Sequence, residues 1–240
     1  MRLLVIASLV GLSACSVTWN DDQKGDGVAG SGSGTARTFA VADFTSIDLT
    51  GTDNVDVRVG AGFSVRAEGP SDQLDRLRLT RDGDTLDIGR KKGVNWGDKK
   101  AVTVYVTMPR LAQAVIAGAG NMTIDRVEGA QFDARIAGSG DMNVGTLAVD
   151  RADLSIAGSG DIGATGVARQ LGIKIAGSGN IDAPTLQASR AEVKIAGAGN
   201  VRAAVTGPAS VKIMGVGDVD LGPAADCTVK KMGTGSVRCR

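Results

Sequence analysis

The segment Ile136-Ala137-Gly138-Ser139-Gly140-Asp141-Met142 decides the fold of this chain. It holds an apolar residue, a corner of two glycines around a small residue, an Asx side chain and a second apolar residue. The phrase occurs once earlier, as Ile116-Ala117-Gly118-Ala119-Gly120-Asn121-Met122. It then recurs from Ile156, Ile175, Ile195 and Ile213, and a weak last copy runs Lys231-Met232-Gly233-Thr234-Gly235-Ser236-Val237. The steps between first residues are 20, 20, 19, 20, 18 and 18. Self-similarity at so constant a period is the mark of a solenoid, in which each unit buries its apolar face against the next.

Between the glycines the apolar residues alternate with polar ones, as Leu171, Ile173 and Ile175 do with Gly172 and Lys174, and Val193 and Ile195 with Glu192 and Lys194. Period two means strand, and no window sustains a helical period. Helical repeats are thereby excluded, and the spaced-Leu consensus of leucine-rich repeats is absent. The expectation is an all-β fold, a β-helix with coils of 18–20 residues, each containing two or three short strands, preceded by an irregular β N-terminal part. Coils stacked at strand spacing make seven copies a rod of roughly 30–35 Å. Ile116, Ile136, Ile156, Ile175, Ile195 and Ile213 then form one buried ladder. Lys231 takes the seventh place, where burial would be costly, so the core is expected to end there.

This organisation accounts for an unusual composition. The chain has 240 residues, 35 of them Gly, which is about 15% against a usual ~7%. Aromatics are 3%, hydrophobic residues 42%, and 27 Lys and Arg balance 26 Asp and Glu. Corners need residues able to adopt positive φ, and Gly-x-Gly-Asx supplies two glycines and a side chain able to bond the turn. A narrow coil is filled by Ile, Val, Leu and Ala. With no His there is no Ser/His/Asp or Cys/His triad and no His-ligated zinc. Balanced charge argues against nucleic acid as a partner.

Residues 39–111 also look β. Ile47-Asp48-Leu49, Val55-Asp56-Val57-Arg58-Val59 and Val102-Thr103-Val104-Tyr105-Val106 alternate. Asp82-Gly83 between Leu77-Arg78-Leu79 and Leu86-Asp87-Ile88 is a hairpin signal. Leu49-Thr50-Gly51-Thr52-Asp53-Asn54-Val55 looks like a degenerate early repeat. Gly89 to Lys100, with Lys91, Lys92, Lys99 and Lys100, reads as a polar loop around Trp96.

The N-terminus reads as an export signal over residues 1–14: Arg2 is the positive region, and the apolar stretch Leu3 to Leu12 is too short to span a bilayer. Leu12-Ser13-Ala14-Cys15 resembles the lipobox of bacterial lipoproteins, which implies cleavage before Cys15 and acyl chains on that residue. Ser16 after the Cys, where Asp would favour inner-membrane retention, points to the outer membrane. Residues 15–37, rich in Gly and Ser, read as the lipid anchor and a flexible tether. Cys15 being used by lipid, Cys227 and Cys239 remain, and an oxidising compartment favours a bond between them over two free thiols. Residues 223–240 are then a capping coil stapled by that bond.

The repeated Ile-Ala-Gly-[Ser/Ala]-Gly-[Asp/Asn] phrase, with the Ile-x-Leu strand, Gly/Asn turn and Val-Asp-Val before it, resembles the head GIN domain, a family described as adhesin heads of autotransporters. The likeness covers residues 38–222. It implies a β-helical fold and a place in the cell envelope, and it implies no reaction, catalytic residue or cofactor.

Two constellations carry possible chemistry. One is the Asx ladder Asn121, Asp141, Asp161, Asn180, Asn200 and Asp218. Stacked carboxylates at Asp141 and Asp161 repel unless neutralised, and a weak Ca²⁺ site would do so; half the ladder is neutral Asn and the period is 20 rather than nine, which favours turn-closing residues in solvent. No metal ligand set is assigned. The other is a basic row, Arg135, Lys174, Lys194, Lys212 and Lys230, each preceding a ladder position and interrupted by Ser155. It would suit anionic envelope polysaccharide, although Asp133, Asp153 and Glu192 neutralise it in part. The expected function is a non-catalytic adhesin-like or structural module on the envelope, meeting polysaccharide or another surface protein. The alternative is a carbohydrate-active enzyme on a β-helix, which the scarcity of aromatic platforms disfavours.

Overall fold

The computed structural model describes residues 27–91 and 101–239. The leader 1–14, Cys15, Trp96, Lys92, Lys99 and Lys100 lie outside the described residues. The strands run in the order β1 Gly30–Ser31, β2 Ala36–Phe39, β3 Ser46–Gly51, β4 Asn54–Val59, β5 Ser64–Glu68, β6 Leu77–Asp82, β7 Thr85–Arg90, β8 Thr103–Met108 and β9 Gln113–Gly118. They continue as β10 Met122–Gly138, β11 Met142–Gly158, β12 Ile162–Gly177, β13 Ile181–Gly197, β14 Val201–Val205, β15 Pro208–Gly215, β16 Val219–Asp220, β17 Asp226–Met232 and β18 Val237–Arg238. One helical turn, α1 Ser71–Leu74, interrupts them.

The fold is a β-solenoid of about six turns. Where separate short strands are expected, each middle turn is one continuous strand bent around three faces. In β10 the faces are residues 122–124, 126–129 and 131–138, each paired in parallel with β11. The ladder isoleucines stack in register from Ile116 through Ile213, all at most 2% exposed. Leu49 and then Ile88 extend the same column upward. At the other end Lys231 lies under Ile213, is exposed, and donates from Nζ to the carbonyl of Gly235 at 2.6 Å. The apolar column ends there because an ammonium keeps its hydrogen bonds only at the rim.

The two corner glycines do different work. Gly158 sits at φ +140°, which other residues rarely adopt. Gly160 has no such φ; a Cβ there would overlap the carbonyl oxygen of Gly140 one turn above. The first glycine supplies both conformation and space, since a Cβ on Gly158 would overlap the carbonyl oxygen of Gly138, and the second supplies space alone.

Unequal coil lengths are absorbed on the first two faces. The coil at β12 is one residue short, and its register against β11 slips between Val144 and Leu147. The slip sets Gly166 beside buried Leu147 and Val167 beside exposed Ala148, so Val167 falls in an outward row and is exposed. The third face keeps unbroken register through every turn.

At the N-terminal end chain order and stacking order part company. β3 lies between β7 and β9, and β4 between β8 and β10, all parallel. The earlier segment 46–59 is thus inserted beneath the later one, and the degenerate repeat at Leu49–Val55 aligns with Ile116 and Gly118 as a true rung. Antiparallel strands cover the last parallel edge: β6 on β7 through the Asp82-Gly83 turn, β5 on β8, β2 on β5 and β1 on β2. These antiparallel strands, two to six residues long, take up pairing positions that the parallel stack would otherwise offer to another chain.

One boundary needs correction. The tether reading of residues 15–37 does not hold over its end, because Gly30–Ser31 and Ala36–Phe39 are strands and Val28 donates its N–H to the carbonyl of Leu79 at 2.7 Å. An edge strand requires backbone bonds more than apolar side chains, so Gly and Ser serve. Arg37 fixes the segment by donating to the carbonyls of Gly34 and Ala36, both at 3.0 Å, and to Asp75 at 2.9 Å.

Candidate functional site

Unbroken register on the third face turns sequence positions into straight rows. Outward residues lie at strand spacing above one another, about 4.8 Å apart. The row before the ladder position runs Val115, Arg135, Ser155, Lys174, Lys194, Lys212 and Lys230. The structure therefore brings the five basic candidates into one line, with Ser155 as the gap. Two residues earlier runs an acidic row that fades: Asp133, Asp153, Gly172, Glu192, Ser210 and Thr228.

The two rows pair only where both are charged. Arg135 makes a two-armed pair with Asp133 at 2.7 and 2.8 Å, which holds its guanidinium still more firmly protonated, first through the hydrogen bond and then through charge. Asp153 is taken by Arg151, two residues before it on the same face, at 2.5 and 2.8 Å. Lys194 meets Glu192 at 2.7 Å. That hydrogen bond, opposed by some desolvation and aided by the charges of Lys194, Lys212 and Lys174, holds the Glu192 carboxyl below its ordinary range. Lys174, Lys212 and Lys230 stand opposite Gly172, Ser210 and Thr228 and form no ion pair among the described residues. Free positive charge is thus concentrated toward the C-terminal turns.

Beside the basic row runs a third, Ala117, Ala137, Ala157, Ala176 and Ala196, ending in Met214 and Met232. Between these rows lies a shallow open trough of about 580 Å³, walled by the alanines, Met214 and the stems of Arg135, Lys174 and Lys194. The change from Ala to Met is visible in the last two copies of the repeated phrase, Ile213-Met214-Gly215 and Lys231-Met232-Gly233.

The Asx row edges a second open groove, of about 1020 Å³. Its side chains do not close their own corners as expected. Each Oδ1 accepts the backbone N–H of the Asx one turn on: Asp141 N–H to Asn121 at 3.0 Å, Asp161 to Asp141 at 3.0 Å, Asn180 to Asp161 at 2.8 Å, Asn200 to Asn180 at 3.1 Å and Asp218 to Asn200 at 3.1 Å. Asn54 begins this chain and Ser236 ends it. The Nδ2 groups of Asn180 and Asn200 add side-chain bonds to the residue above, both at 2.9 Å. Oδ1 of Asp161 accepts from both the N–H and the Nδ2 of Asn180, so neutral donors from the next turn meet this carboxylate. Among the described residues no group of three or more His, Cys, Asp or Glu gathers as a metal site.

Cys227 and Cys239 are bonded in the structure, with Cα atoms 6.2 Å apart. The bridge closes the underside of the last coil.

A family model described as "putative auto-transporter adhesin, head GIN domain" matches residues 43–222. The chain belongs to the head GIN domain family. No curated protein matches it. Its fold is shared by a structure described as a putative adhesin from Bacteroides fragilis NCTC 9343, at 21% identity and a TM-score of 0.78, covering 85% of this chain and 96% of that one. A structure described as a putative lipid binding protein from Parabacteroides distasonis ATCC 8503 is similar at 20% identity and a TM-score of 0.75, covering 88% and 98%. A third, described as a putative adhesin from Parabacteroides merdae ATCC 43184, has 20% identity and a TM-score of 0.68, covering 90% and 99%. In this head GIN domain, as the rows show, the repeated corners leave one face flat and regular from turn to turn.

Proposed function

We propose that this head GIN domain is a non-catalytic, adhesin-like contact module of the cell envelope, anchored through lipid on Cys15 to the outer membrane and meeting another envelope component with its third face. The observation that carries this is the unbroken register of the basic and alanine rows. Repeated identical side chains on a flat sheet suit an extended partner, a polysaccharide or a second surface protein, more than a small substrate held in a cleft. The same regularity disfavours the carbohydrate-active enzyme, which would need clustered acids or bases with aromatic platforms. The lipobox-like Leu12-Ser13-Ala14-Cys15 supports the anchor.

Three measurements test this. Labelling cells with radioactive palmitate should mark the chain and fail on Cys15→Ala; equal labelling rejects the anchor. Retention of the chain on outer-membrane material should drop when Lys174, Lys194 and Lys212 are all changed to Glu, and unchanged retention rejects the third face. A reducing-end release assay on the same polysaccharides should show no turnover; turnover would revive the enzyme.

A further inference from the structure

The third face changes character over its last two turns. Five alanines in succession give way to Met214 and Met232, which are in register. Met214 is 61% exposed, Met232 71%, and Val216 at the adjoining corner 60%. In the turns from Ala117 to Ala198 the same positions carry Ala or Ser, and Thr234 follows Val216 in the last turn. A contiguous group of large exposed apolar side chains marks an interaction surface. Lys212 and Lys230 occupy the adjacent outward positions, also in register, and the acidic row is replaced there by Ser210 and Thr228.

This combination discriminates between partners. A uronic or sulfated polymer would engage the lysines and gain little from methionines. An apolar protein groove would engage the methionines and desolvate unpaired lysines at a cost. A bilayer rich in anionic headgroups uses both, since phosphates meet the ammonium groups while flexible apolar side chains enter the headgroup boundary. We propose that Met214, Val216 and Met232, with Lys212 and Lys230, form a docking patch for an anionic lipid surface. This deepens the contact-surface reading by naming what the lower end of the third face meets, and it does not require lipid on Cys15. Docking there would lay the solenoid against a membrane by its C-terminal turns.

The methionines provide their own probe. Met108, Met122 and Met142 are buried and serve as internal references. The full chain is exposed to dilute hydrogen peroxide with vesicles of phosphatidylcholine alone or of phosphatidylcholine with phosphatidylglycerol, and sulfoxide at each Met is followed by mass spectrometry. With phosphatidylglycerol present, Met214 and Met232 should oxidise at least about threefold more slowly as they enter the interface, while the references stay unreactive. Lys212→Glu with Lys230→Glu should lower partition to those vesicles at least about thirtyfold, the weight of two lysines near the surface, and abolish the protection. Equal oxidation in both vesicle types overturns the patch, even if flotation shows the chain to be membrane-bound, because flotation reports the anchor separately. Protection by soluble alginate, or by raising the chain's own concentration without lipid, also overturns it, in favour of a glycan or a second copy.

Discussion

Arg90 grips Asp53 with two arms inside the N-terminal rungs, where Asp53 holds the place that Gly120, Gly140 and Gly160 hold below. Nε of Arg90 donates to Oδ2 at 2.7 Å and Nη2 donates to Oδ1, while the Val102 N–H donates to Oδ1 at 2.9 Å. The remaining Nη1 donates to Oε1 of Gln73 at 2.7 Å. Asp53 is fully buried and the Arg90 side chain is 7% exposed. The cluster joins the inserted rung β3–β4 to β7, β8 and α1, and so fixes the stacking order that departs from chain order. Asp53→Ala would leave the buried guanidinium without its counter-charge, holding only its bond to Gln73, and the Val102 N–H without its acceptor, at a cost of about 3–5 kcal/mol. Asp53→Gly combined with Arg90→Leu restores the glycine of the repeat and removes the charge, and should recover most of that loss. Urea denaturation of the three proteins checks this; a double variant no more stable than Asp53→Ala would show that the cluster is not what aligns the rungs.

The Asx ladder carries a second prediction. Oδ1 of Asp161 accepts both the N–H and the Nδ2 of Asn180. Asn supplies the same oxygen, so Asp161→Asn should leave the melting temperature within about 1 °C, while Asp161→Ala, which removes bonds worth about 1 kcal/mol, should lower it by roughly 2–4 °C. Millimolar Ca²⁺ should leave the melting temperature of the unaltered chain unchanged. A rise on adding Ca²⁺ that Asp161→Asn abolishes would restore the calcium reading.

These two sites mark where sequence was informative and where it was not. The repeat was legible because one turn of a solenoid is one period of sequence, and Ile116 to Ile213 mark it. The hairpin at Asp82-Gly83 was legible because the turn is local. The insertion of residues 46–59 beneath residues 85–108 was not, since it depends on how the chain returns after β5, and no local pattern encodes that path. Asp53 looked like one more turn residue because its partner lies 37 positions away at Arg90. Gly30 and Ser31 looked like tether because an edge strand carries no apolar signature. The five basic candidates aligned as expected, but their free charge depends on whether Gly172, Ser210 or Thr228 replaces an acid in the neighbouring row, and that is seen only once the rows stand side by side.

Asp218 supplies a dependence on pH. Its Oδ1 accepts the Ser236 hydroxyl at 2.6 Å and the Ser236 N–H at 2.8 Å. These bonds, the hydroxyl's first, with the charge of Lys231 as a lesser cause, hold its carboxyl below the usual carboxylate range. A lowered folded-state value means that the bonds stabilise the last coil at pH above the ordinary carboxylate range. That contribution is lost as pH falls through the lowered value. Ser236→Ala removes the hydroxyl and leaves the N–H, so the Asp218 carboxyl resonance should titrate at a higher pH by NMR, still short of a free aspartate. An unchanged midpoint would show that the hydroxyl does not reach the carboxylate in solution.

Cys227 and Cys239 close a loop with a sequence separation of 12 around the coil that ends the core. In a solenoid each turn touches only its neighbours, so stabilisation stays local unless it passes through an interface. β17 holds to β15 through Val229 under Val211 and Lys231 under Ile213, and both lower residues are exposed, so apolar burial contributes little to this last interface. The bridge should therefore carry much of the order of the terminal coil, with a closure term of about 3 kcal/mol for a loop of this size. Cys227→Ala with Cys239→Ala should speed hydrogen exchange at the Val219 and Leu221 amides, which donate to the carbonyls of Ser236 and Arg238 at 2.9 and 3.0 Å. The amides of Met142 and Ile162, bonded the same way to Asp161 and Asn180 in the middle turns, should keep their protection. Acceleration throughout the stack would mean that the terminal coil supports the whole rod, and the nearest-neighbour account of its stability would fail.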